Sequence, residues 1–145
     1  MNRIIKYVAF FSFQIVNTVT ACFMAFFPKP FHESMFNNPE RVYQTIGFSS
    51  VAVEMVHNMI RGHGAVLFAV SIFIWIEGMQ SRHVYSLIAW VCALSVYAHL
   101  MTLTHHLNSP PVVRAIGHFG NLYGIIVVTA IVGLLNGVAY FMWKK

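Results

Sequence analysis

The sequence predicts an all-α polytopic membrane protein: a bundle of four transmembrane helices in a single domain, residues 1–145, with an extracytoplasmic interfacial segment between helices one and two. Three observations carry that reading. Of 145 residues, 58% are hydrophobic and 9% charged, against roughly 25% charged in a soluble domain. Four apolar stretches, about 4–27, 58–76, 84–106 and 120–143, reach or approach the ~20 residues that a helical span needs. Most of the histidines and charged residues gather between those stretches or near their ends.

The first stretch, "IIKYVAFFSFQIVNTVTACFMAFF", follows Met1, Asn2 and Arg3 and contains Lys6. It is too long and bulky for a cleaved signal, and "TVTAC" is a poor lipobox, so it reads as a signal anchor. From Pro28 to Arg61 runs the one extended polar segment, where Pro28, Pro30 and Pro39 disfavour continuous helix. Beyond Pro39, the spacing of Val42, Ile46 and Val53, with Phe48 and Met55, suggests a helix. Joined to the second span it would exceed thirty residues, so an interfacial helix, or a break near Gly62 and Gly64, is expected before the crossing. The third span stops at Asn108-Ser109-Pro110-Pro111. A linker with Arg114, Gly117 and His118 leads to the fourth, which ends in the aromatic and cationic anchor Trp143-Lys144-Lys145.

This topology puts the amino terminus, Arg3, Lys6, Arg82, Lys144 and Lys145 on one side. Lys29, Arg41, Arg61 and Arg114 lie on the other, with Glu33, Glu40 and Glu54. Five bases against four, with the short loop at Arg82, assign both termini to the cytoplasm, and a bacterial inner membrane is the expected location. Asp is absent, so the net charge of +5 reflects scarce acids. The nine scattered Lys and Arg make nucleic acid an unexpected partner. Cys22 and Cys92 sit in apolar runs and read as small buried hydrophobes rather than a disulfide or zinc framework.

The histidines gather at one membrane face. His32, His57, His63, His99, His105, His106 and His118 fall there, with His83 on the other side. Met24, Met35, Met55, Met59 and Met101 join them. In "EMVHNMIRGHG", Glu54 and His57 are three apart, which places a carboxylate and an imidazole on one helix face. Met55 and Met59, at i and i+4, form a soft-donor pair suited to Cu(I). His99 and His106 share a face but lie about 10 Å apart along the axis, so each needs a ligand partner from another helix. His99 is also deeper than its neighbours, where a polar side chain is expected to face the bundle interior or a cavity. His63 sits between Gly62 and Gly64, which let a helix or a flat cofactor approach. His32, His83, His105 and His118 read as interfacial groups, where His, Tyr and Arg near helix ends bond to water, headgroups or each other.

The candidate cofactor ligands are therefore His57, His63, His99 and His106, for haem b or copper. Glu54, His105, Met55 and Met59 complete the candidate metal donors. No Ser-His-Asp set, Cys-x-x-Cys, phosphate loop or His-Glu-x-x-His is present. No acid lies within a span, which argues against proton pumping or cation-coupled transport.

The last span carries Gly120-x-x-x-Gly124 and Gly133-x-x-x-Gly137, small-residue pairs that permit close helix approach. Gly124 and Gly133 are nine apart and so lie on opposite faces. One face serves the bundle and the other is left for a neighbouring membrane subunit or a second copy.

Two stretches, "MIRGHGAVLFAVSIFIW" and "LTHHLNSPPVVRAIGHFGNLYGIIVV", resemble the small four-helix membrane proteins grouped with DoxX. The resemblance implies a four-helix bundle and transfers no activity. His57, Arg61 and Gly62 are similar to the two-His haem b anchors of respiratory complexes. The functional expectation is a non-catalytic accessory or stabilising subunit of a larger membrane complex, respiratory or oxidative in type; the alternative is a haem b or copper protein.

Overall fold

The computed structural model describes residues 3–35, 38–116 and 121–143. Gly117, His118, Gly120, Lys144 and Lys145, named above, lie outside them. The order is α1 (Arg3–Phe26), α2 (Pro28–Met35), α3 (Pro39–Thr45), α4 (Ser50–Glu77), α5 (Arg82–Leu107), α6 (Pro111–Ile116) and α7 (Leu122–Phe141). Helices α1, α4, α5 and α7 are long and apolar enough to cross a membrane, and they mark an integral membrane protein with no strand among the described residues.

Between the first two spans the helix is interrupted at the prolines, and Pro28 and Pro39 each also begin a new helix, because a proline in the first turn gives up an N–H that has no partner inside the helix anyway. Of the two expected alternatives before the second span, a separate short helix, α3, is found and a break near Gly62 and Gly64 is not: α4 runs through both as 28 continuous residues. The chain turns earlier, at Gly47, whose φ of +79° is open to glycine and strained for a residue with a Cβ. Ser49 then caps α4, its hydroxyl accepting from the Ala52 N–H at 3.2 Å.

The four long helices stand as an open row in the order α4, α1, α7, α5, with the main packing between successive members. Helices α4 and α5, consecutive in the chain, are not main neighbours. Two glycines explain the two strongest seams. A Cβ on Gly64 would stand 2.6 Å from the Ala25 nitrogen of α1, and one on Gly133 would stand 2.8 Å from the Cys92 Cβ of α5. In hydrocarbon, where no water is released on association, such close backbone approach is a principal source of helix affinity. The apolar core runs along the row through Phe10, Phe13, Ile74, Tyr85, Ile88 and Val132.

The expected pairing of glycines in α7 is only partly realised. Gly133 packs on α5, whereas a Cβ on Gly137 or Gly124 would meet nothing within 4 Å. Four positions of a straight helix differ by 40° in heading. That is enough to seat one glycine in the seam and leave the other beside it.

Candidate functional site

At the end of the row where α1 stops, the chain folds a small polar cap onto α4. Pro28 cannot donate a hydrogen bond, but Phe27 N–H donates to Phe23 O and Phe31 N–H to Phe27 O, both at 2.9 Å. The helix therefore continues from α1 into α2 across a single break, and α2 packs against α4. Asn38, in the left-handed region at φ 51°, reverses the chain into α3.

These turns bring three aromatic residues together. His32 of α2 is 3% exposed and His57 of α4 is 7% exposed. Their rings meet edge to face with centroids 5.5 Å apart. Tyr43 of α3 shares a hydrogen bond of 3.0 Å with His32 Nε2 and stacks on Phe48. The Glu54 carboxylate, more than half exposed, lies 3.7 Å from His57 Nδ1, beyond hydrogen-bond length. A cleft of about 350 Å³ opens beside the cap, lined in part by Lys29, Glu40, Gln44, Glu54 and His57.

Burial sets the electrostatics of this cap. The loss of water pushes His32 down from 6.5 to about 4, helped by repulsion from His57, so His32 is neutral at physiological pH. Burial pushes the Tyr43 hydroxyl above its ordinary range. On the rim, Lys29 and Glu40 pair at 2.8 Å. The hydrogen bond and the charge attraction of that pair hold the lysine up and the carboxyl down.

Of the residues singled out in the sequence, Glu54 and His57 meet as their spacing implied. His32, among the most buried polar side chains, bonds to Tyr43 rather than to solvent. The deep placement of His99 does not lead to an interior partner. It is half-buried, and its Nδ1 lies 2.7 Å from Ser95 O of its own helix. His63 and His105 are exposed and His106 is half-buried. Met55 and Met59, at 62% and 74% exposed, do not turn toward the cap. The glycine that admits a neighbour beside His63 is Gly64, and what fills the space is α1 rather than a flat cofactor. Among the described residues, no group of three or more His, Cys, Asp or Glu side chains is placed to hold a metal ion.

A second polar constellation lies at mid-membrane depth between α1 and α4. Gln14 Nε2 donates to Ser71 O at 3.2 Å, and Ser71 Oγ donates back to Gln14 Oε1 at 3.0 Å. Thr18 Oγ1 stands 2.7 Å from Ser71 Oγ. Asn17 Nδ2 donates to Leu67 O at 3.1 Å. Nearby, Asn136 of α7, fully buried, donates to Ala9 O of α1 and to Val132 O, both at 2.9 Å. The sequence carried a signal for these groups, since an uncharged amide inside a span needs a partner as much as a charge does. Attention to charges and histidines passed over them.

No family model, no curated protein and no solved structure matches the chain.

Proposed function

We propose that this chain is a non-catalytic subunit of a larger membrane assembly, lying in an inner membrane with both termini on the cytoplasmic side. The observation that carries this reading is the open row. The most buried span is α1, with 39% of its apolar window buried, against 22% for α7, 17% for α4 and 11% for α5. Among the described residues, nothing lies within 4 Å of a Cβ built at Gly62, Gly124 or Gly137, the geometry at which another helix approaches closely. The buried amides Gln14, Asn17 and Asn136 fasten helices to one another.

The test is the mass of the particle extracted from its native membrane in mild detergent. A particle larger than one chain, of fixed stoichiometry, is expected. It should fall to a single chain on Gly124→Leu with helical content unchanged. A monomer from the native membrane would overturn the reading. The haem b or copper reading needs donors on α5, His99 and His106, to reach His57, and α4 and α5 are not main neighbours. A visible spectrum and elemental analysis of the same particle decide between the two. Stoichiometric haem or copper, lost on His57→Ala, would replace the subunit reading.

A further inference from the structure

The opposite end of the row has a different chemistry. There the last turn of α7 and the residues after it receive cations from two other helices. Lys6 of α1 places its Nζ 3.2 Å from the centre of the Trp143 ring. Arg82, at the start of α5, lies over the Tyr140 ring at 4.2 Å, and its Nε donates to Tyr140 O at 3.4 Å. Tyr85, fully buried, stands beneath them. Its ring is 5.6 Å from that of Trp143, and its hydroxyl donates to Met79 O at 3.0 Å and lies 3.5 Å from Lys6 O.

Both cations are half-buried and held by rings. Neither is ion-paired among the described residues; the lysine–carboxylate pairs belong to Lys29 at the other end. A ring face satisfies a cation without neutralising it. Lys6 keeps its three N–H donors, and Arg82 commits one of five. Two immobilised, uncompensated positive groups thus sit at the edge of a hydrocarbon span, at the level where lipid headgroups lie. Their entropy cost is already met by aromatic packing, so an anion binds them without having to order them first.

We propose that Lys6 and Arg82, set on Trp143 and Tyr140, form a seat for the phosphate of an anionic phospholipid, whose acyl chains run down the adjoining helices. Charge complementarity selects the lipid class, because a zwitterionic headgroup brings its own cation and would be repelled in part. This end is also the one that the count of basic residues assigns to the cytoplasm, where anionic lipids are enriched.

Native mass spectrometry on the full chain in mild detergent tests the proposal, with phosphatidylglycerol and phosphatidylcholine of the same acyl chains added in turn. Phosphatidylglycerol should bind in preference, and its affinity should fall about fivefold for each of Lys6→Gln and Arg82→Gln. Lys6→Arg should keep the affinity, and Lys29→Gln, at the far end, should leave it unchanged. Inorganic phosphate alone should not protect the protein against heat, whereas phosphatidylglycerol should. Equal retention of the two lipids, unchanged affinity in both glutamine variants, or full protection by inorganic phosphate would each overturn the assignment. Circular dichroism of each variant distinguishes lost binding from lost fold.

Discussion

The seam between α1 and α4 and the seam between α5 and α7 solve the same problem with different means. Each brings two helices together at one glycine, Gly64 or Gly133. The first is also laced by side-chain hydrogen bonds from Gln14, Asn17 and Thr18. The second packs Tyr85, Ile88 and Cys92 against Val132 and Ala139, and its side-chain hydrogen bond between helices lies at the very end, from Arg82. In lipid, packing by shape tolerates sliding and rotation more readily than a bonded pair does, because every displaced amide leaves a polar group in hydrocarbon. One seam is fixed in register; the other is fixed in distance.

Acid should separate the two most strongly. The α1 and α4 pair is extended by α2, whose His32 is buried against His57. With its pKa at about 4 in the fold and 6.5 outside it, the unfolded chain takes up the proton first as pH falls. The stability from neutral His32 is complete above pH 6.5 and is lost toward pH 4, to the extent of about 3 kcal/mol. Glu40, whose carboxyl is held down by Lys29, adds its own loss only below about 4.5. Thermal melts at pH 7 and pH 5 should therefore differ, and His32→Gln should flatten the slope. Crosslinking across α2 and α4 should loosen over the same range while crosslinking across α5 and α7 holds. Equal loosening of both would erase the distinction.

Overpacking comes next. Gly64→Ala drives a methyl group into the backbone of α1 and should cost about 1–3 kcal/mol. Gly133→Ala meets the Cys92 Cβ at 2.8 Å and should cost a similar amount, with Cys92→Gly in the same chain, which removes that atom, restoring part of the loss. Denaturation in detergent gives both numbers, and failure of that rescue would mean that α5 and α7 meet elsewhere. A smaller effect is expected from Gln14→Leu, about 0.6–1.7 kcal/mol, the range seen for hydrogen bonds between membrane helices. A double-mutant cycle with Ser71→Ala should show coupling, and additive losses would reduce the network to ordinary contact. Asn17→Leu should be the mildest, near 0.6 kcal/mol, because Leu67 O loses only a supplementary donor.

The four spans were legible in the sequence because hydropathy and length are properties of a single segment. The row order was not, since it depends on which helix face meets which, and that choice rests on Gln14, Gly64 and Cys92 rather than on any periodic pattern. Glu54 and His57 were legible as neighbours on one helix. Their partner His32 was not, because the chain between His32 and His57 passes through the positive-φ residues Asn38 and Gly47 before the two rings meet. His99 illustrates the opposite failure. Its depth suggested an interior partner, and its own backbone met the need instead. The prolines marked the interruptions, and what they did not reveal is that each starts a new helix, since a residue that cannot continue a helix is well suited to starting one.

The central position of α1 has a consequence for how the protein is made. Gln14 and Asn17 enter the membrane when the residues that satisfy them, Ser71 and Leu67, have yet to be synthesised. During that interval the first helix carries two amides into an apolar solvent with no second helix yet present to bond them, which raises the cost of its insertion until α4 arrives. The order of translation and the order of the row are at odds.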